Sequence, residues 1–395
     1  MDEPLKRRLG PGLLTAYGVG VMVGAGIYVL VGAVAGDAGI WAPLSFLLAG
    51  LIAAPTALSY AEFSTRIPEA AGEAAYVGTG LNSEFLAVLV GLAIVAAGTI
   101  SAGAVLRGGV GYLTAVVDMS PQLAILLLGA ALTAVAIFGV LESLALAAVF
   151  TVIELVGLGL VVWAGFGAEP SADWKLSAEP HWVGIGLGGV LAFFAFIGFE
   201  DIVNMAEEAR DPFRTLPKSI LISLCLTSAI YMLVSWAAVR AVPLEALAGS
   251  DSPLALVWQT AKGSSGAFLS TIAVFAALNG VLAQIVMASR VLFGLGRRER
   301  ALAVFHRAHP RFGTPALATF LIGGLVILAA LFVPLETLAG TTSTILLSVF
   351  TLVNLALILQ KRRAPGAPFE VPMIVPVSGL ILSVSALAVA IGGAI

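Results

Sequence analysis

Eleven separate apolar runs, each long enough to cross a lipid bilayer, leave this chain few folds to choose from. A hydrocarbon core of about 30 Å takes about 20 residues of helix. The runs fall at 13–35, 40–62, 85–106, 121–140, 143–166, 183–206, 216–239, 264–295, 315–334, 338–359 and 373–394. A soluble domain carries about 25% charged residues, whereas here 59% of residues are hydrophobic, only 11% are charged and the mean hydropathy is +1.05. The sequence therefore predicts an all-α integral membrane protein of eleven helices. The lone Cys225 excludes a disulfide framework or a cysteine-based metal cluster. The first run follows a charged tail and lacks a small-residue cleavage site, so it reads as a retained helix and not a signal peptide.

Lysine and arginine placement sets the expected orientation. With residues 1–12 as a cytoplasmic tail, sixteen of the twenty basic residues fall on the inner side. Only Arg107, Lys175, Arg240 and Lys262 fall outside. The expected location is the cytoplasmic membrane, multi-pass, with the N-terminus inside and Ile395 outside. The basic loop at 297–311 is dense enough to touch anionic lipid heads as well. The charges flank membrane segments instead of forming one face of a soluble module, so nothing favours nucleic acid as a partner.

Two of the runs carry matched interruptions. The first is Gly24-Ala25-Gly26-Ile27-Tyr28, in the first run; the second is the stretch 193–201, in the sixth, with Gly198 at its centre. Glycine costs a helix interior roughly 1 kcal/mol relative to alanine. Unpaired backbone in hydrocarbon costs several more, so irregular backbone at that depth persists only where protein or a polar cavity satisfies it. One break in each half of the chain points to a binding site at the bilayer midplane. Glycines that serve only close helix packing are the plainer alternative.

Five ordered motifs resemble the amino acid–polyamine–organocation family of permeases. They are Gly24-Ala25-Gly26-Ile27 with Gly32 and Gly36; Tyr60-Ala61-Glu62-Phe63-Ser64-Thr65-Arg66-Ile67-Pro68 followed by Ala71-Gly72-Glu73-Ala74-Ala75-Tyr76; Phe193 to Glu200, then Ala206-Glu207-Glu208 and Asp211-Pro212-Phe213-Arg214; Ser289-Arg290 through Gly296-Arg297; and His309-Pro310-Arg311-Phe312-Gly313-Thr314-Pro315. The resemblance implies a LeuT-type fold of five-plus-five inverted repeats, with helices 1 and 6 broken. The repeats would be 13–166 and 183–360, and 373–394 a peripheral eleventh helix where similar permeases usually have twelve. It implies alternating-access transport of an amino acid, with no cofactor.

A broken helix offers unpaired N–H groups where it restarts and unpaired carbonyls where it stops, and the N–H end favours an anion. Amides near Ala25, Gly26 and Ile27 suit a substrate carboxylate. Carbonyls near Met22 and Val23, and near Phe194, Ala195, Phe196 and Ile197, suit an ammonium group. Gly24 and Gly198 give the breaks their freedom, and Phe194, Phe196 and Phe199 are expected as apolar walls. Three acids lie at membrane depth: Glu154, Glu200 and Asp201. A carboxylate there costs about 3 kcal/mol even on insertion scales, so each must be neutralised, paired or functional. Glu200 occupies the place where similar permeases carry an acid implicated in proton-dependent transport; its alternative role, and the expected role of Asp201, is to cap the second half-helix. Many similar permeases have a lysine at the position of Glu154. The reversed charge leaves proton coupling, sodium binding, an ammonium-bearing substrate or an inert polar contact open. Asn279 is a neighbour by repeat geometry, and Glu207 and Glu208 are expected in an ion-pair network with Arg210 and Arg214.

The leading reading is proton-coupled amino acid transport. Exchange or import of cationic amino acids or polyamines is the alternative within transport, and a nutrient receptor that binds without transporting is the alternative outside it. No filter element of an ion channel, no metal-ligand set at the breaks and no nucleophile–base pair or phosphate loop of an enzyme is visible.

Overall fold

The computed structural model describes residues 10–23, 25–67, 72–138, 144–175, 179–203, 209–309 and 314–392, with backbone alone at 25, 144–149 and 297–298. Gly24, Ala206, Glu207, Glu208 and Ile395 lie outside the described residues, as do parts of the motifs at 68–71 and 310–313. The chain forms fifteen α-helices among those residues. In order they are α1 (Pro11–Val23), α2 (Ala25–Ala38), α3 (Ala42–Arg66), α4 (Gly72–Leu81), α5 (Glu84–Thr114), α6 (Pro121–Phe138), α7 (Leu144–Gly167) and α8 (Trp182–Phe194). They continue with α9 (Pro212–Ala241), α10 (Leu244–Ala248), α11 (Pro253–Lys262), α12 (Ala267–Arg298), α13 (Ala316–Phe332), α14 (Leu335–Arg363) and α15 (Ile374–Gly392).

Each apolar run contributes at least one α-helix, with the runs at 13–35 and 183–206 interrupted, and the protein is a multi-pass, all-α membrane protein. The run at 85–106 differs most, because α5 continues to Thr114. Arg107 therefore sits inside a helix and donates to the carbonyl of Ala330 at 2.8 Å, in the last turn of α13. Arg240 serves α7 in the same way, donating to the carbonyls of Gly165 at 2.9 Å and Ala168 at 2.6 Å. A helix leaves its last carbonyls without partners, and an arginine satisfies them while complementing the dipole. The short helices α4, α10 and α11 lie outside the runs, since each is too brief for a membrane span.

Helix neighbours come in matched sets. The helix α1 lies on α9 as α8 lies on α3, and α7 lies on α1 as α14 lies on α8. The pairs α3 with α9, α5 with α12 and α6 with α13 join corresponding helices of the two halves. The helix α14 meets α5 as α7 meets α12; likewise α4 rests on α5 and α14 as α11 rests on α12 and α7. The helix α15 lies along α14, α3 and α8.

Two polar knots tie α3 to α14. Mid-helix, Asn354 accepts from Ser59 Oγ at 2.7 Å and donates to Thr56 Oγ1 at 2.8 Å. At the helix ends, buried Glu62 accepts from Arg66, from Lys361 at 2.9 Å and from the Val371 amide at 2.9 Å. Lys361 also reaches Glu370 at 3.0 Å, and this hydrogen bond holds the Glu370 carboxyl below its ordinary value. Large apolar side chains such as Leu127, Val152, Phe320 and Ile381 stay exposed on α6, α7, α13 and α15. In a bilayer these faces meet lipid.

Candidate functional site at the two helix breaks

The two breaks interlock. The first falls between the end of α1 at Val23 and the start of α2 at Ala25. The second is a turn at 195–199 after α8, followed by one 3-10 turn at 200–203. A Cβ added at Gly26 would lie 2.8 Å from the Cα of Ala195, so only glycine lets α2 rest on the opposing backbone. Gly198 has φ +125°, a conformation that L side chains rarely adopt, and a Cβ there would meet Val21 at 2.6 Å. Each break therefore supplies the glycine that admits the other.

One tyrosine braces both. Tyr231 of α9 is fully buried, and its hydroxyl lies 2.5 Å from the carbonyl of Met22 and 2.9 Å from that of Ala195. Those two carbonyls, expected to be free for a ligand ammonium, already share a protein donor. The remaining polarity at the first break comes from the opening amides of α2, at Ala25, Gly26 and Ile27, which have no partner within their own helix. The aromatic residues of the second break are buried against neighbours: Phe196 packs on Tyr231, while Phe193 and Phe199 pack on Phe350. Phe199 also meets Tyr60. Phe194 belongs to the last turn of α8 and Ile197 is half-buried.

Glu154 sits on α7, against α1, and is 2% exposed. Its Oε2 is buried with no hydrogen-bond partner among the described residues. The hydroxyl of Tyr28, four residues beyond the first break, donates to the backbone carbonyl of Glu154 at 3.0 Å. That bond, with the packing of α7 on α1, places Glu154 beside the first break.

The second break has its own acids. Glu200 Oε2 accepts from the amide of Gly198 at 2.9 Å, so among the described residues it is Glu200, and not Asp201, that is bonded to a break amide. Asp201 is buried beside it, and both interact electrostatically with Glu73 of α4. No charge interaction or hydrogen bond joins Glu154 to Glu200 among the described residues.

The chain is aligned over residues 12–393 with the amino acid permease family. It is a member of that family. Among curated proteins it is similar to the branched-chain amino acid permease BcaP of Bacillus subtilis, with 29% identity over 96% of this chain and 87% of that one. The methylthioribose transporter of the same organism is 30% identical, with the same two coverages. Cationic amino acid transporter 4 of Mus musculus is 33% identical over 93% of this chain. The chain spans 62% of that protein's length.

Within this permease the sequence-predicted residues separate into two groups. Met22, Gly26, Ala195, Gly198, Glu154 and Glu200 converge on the breaks, whereas Asn279 is half-buried on α12 with no hydrogen bond to Glu154 among the described residues. Sequence reasoning missed Tyr231 as the brace of the two breaks, and missed the burial of Tyr60 and Glu73. Glu73 opens a short helix, where an acid is ordinarily a solvated partner of the dipole. Nothing in its spacing signals burial.

Proposed function

We propose that this permease carries an amino acid across the cytoplasmic membrane by alternating access, driven by protons. The observation that carries the reading is the interlocked pair of breaks, where the opening amides of α2 have no partner within their own helix and Glu154 Oε2 is buried with no hydrogen-bond partner among the described residues. A zwitterion fits that polarity: its carboxylate at the amides of Ala25, Gly26 and Ile27, its ammonium toward the carboxyl side of the break. Glu154 and Glu200, both buried, are the proposed proton carriers. The matched helix contacts support two inverted repeats, 13–166 and 183–360, that rock about the breaks, and the placement of basic residues supports an inward N-terminus.

A second reading is favoured by Glu154 Oε2, which has no hydrogen-bond partner among the described residues. A cationic amino acid would place its side-chain charge there, and relatives named cationic amino acid transporters align over most of the chain.

Purified protein in liposomes, offered radiolabelled neutral amino acids, arginine, lysine and putrescine, tests both readings. Uptake stimulated by an inward proton gradient, and lost in Glu154→Gln or Glu200→Gln, is expected. Uptake that ignores the gradient but needs internal substrate identifies an exchanger. Saturable binding without flux defeats the transport reading.

A further inference from the structure

We propose that Glu73, Glu200 and Asp201, with the hydroxyls of Tyr60 and Tyr76, form a proton-binding cluster beneath the second break, separate from Glu154. The three acids are 5%, 4% and 9% exposed, and both tyrosines are fully buried. They come from three places in the fold: Tyr60 from α3, Glu73 and Tyr76 from α4, and the other two from the turn after the break. The rings of Tyr60 and Tyr76 meet edge-on at 6.0 Å. The Tyr60 hydroxyl is hydrogen-bonded to Glu73, the acid that also bears on Tyr76, and the Tyr76 hydroxyl is buried without a hydrogen-bond partner among the described residues.

No lysine, arginine or histidine pairs with these acids among the described residues. On α14, Lys361 is committed to Glu62 and Glu370, and Arg363 to the carbonyl of Gly80. On α3, Arg66 holds Glu62 and the carbonyl of Ala364. Arg210, just before α9, and Arg214 and Lys218, in its first turns, are exposed, and on α5 the acid Glu84 stands at the first turn while Arg107 is committed to the carbonyl of Ala330. Like charges about 4 Å apart repel by about 4 kcal/mol even at an effective dielectric of 20. Three buried carboxyls that act on one another, with no paired cation among the described residues, do not all ionise, so the cluster retains protons.

Burial and the neighbouring Asp201 push the Glu73 carboxyl up to about 7. Glu200 connects this proton store to the break through its bond from Gly198. A charged acceptor makes the stronger bond, so the number of protons held biases the geometry of the break. That consequence for coupling rests on the transport reading; the proton store itself does not.

The test is an infrared titration of the carboxylic C=O band of the full chain in lipid nanodiscs, from about pH 5 to about pH 9. It is recorded in the Glu154→Gln background so that Glu154 does not contribute. The expected result is a protonated-carboxyl band at neutral pH that fades as pH rises, that shrinks with Glu73→Gln, and whose midpoint moves with Tyr60→Phe, a change that keeps the ring packing. No such band at neutral pH, identical titrations with and without Glu73→Gln, or loss of the band on adding sodium at fixed pH each overturns the proposal. In liposomes Glu73→Gln alone is expected to keep substrate exchange and lose gradient stimulation; stimulation equal to wild type removes the cluster from coupling. Absence of any flux defeats the transport reading and leaves the infrared result standing.

Discussion

Glu73 shows how little a residue's type says about its job. It is one of four acids in helix first turns among the described residues, with Glu84, Glu245 and Glu336. In the fold it is buried under Tyr60 beside Asp201, and burial raises its carboxyl from 4.5 to about 7. Between those two values the folded protein binds a proton that the unfolded chain has released. Stability is therefore fully present below about pH 4.5 and lost as pH rises to about 7, by about 3 kcal/mol. Thermal midpoints in detergent are expected to fall across that interval for wild type, and to fall less for Glu73→Gln. A midpoint difference between the two proteins that stays constant with pH contradicts this account.

At the scale of elements, the breaks depend on each other more than on their own sequences. Gly198 takes a backbone conformation reserved for glycine and admits Val21, while Gly26 admits Ala195. Gly198→Ala is expected to cost about 1–3 kcal/mol in backbone strain alone, and to lower liposome uptake at least about tenfold because the methyl displaces α1. The readouts are thermal midpoint and initial uptake rate; wild-type values for both would show that the break tolerates a side chain. That a break occurs in each half was legible from the glycines, since a glycine pair or a glycine beside aromatics interrupts each run at corresponding depth. That Tyr231 closes two of the exposed carbonyls was not legible, because the tyrosine is 209 residues from Met22.

The whole molecule rests on paired helices and on the knot at the ends of α3 and α14, where Glu62, Arg66, Lys361 and Glu370 converge. The proposed orientation puts that knot, with Arg307, inside the cell, and Lys175 and Lys262 outside. All three of the last-named residues are exposed. With Cys225 replaced, single cysteines at positions 175 and 262 are expected to react with a membrane-impermeant maleimide on intact cells, and one at 307 only after permeabilisation. The reverse pattern would invert the topology.

The sequence by itself determined the solvent of this protein, the number and place of its membrane runs, the halves that carry the breaks and the family to which it belongs. The family follows from the resemblance of its ordered motifs, and the rest from local quantities: apolar length, glycine position and the placement of basic residues. The tertiary structure decided which polar groups meet. Arg107 became the cap of α13, Glu200 the acceptor of a break amide, Tyr231 the brace between carbonyls, and Glu73 a buried partner of Asp201. Such pairings join residues far apart in the chain, and burial, which decides whether a carboxyl is solvated or must hold a proton, is a property of the packed molecule alone.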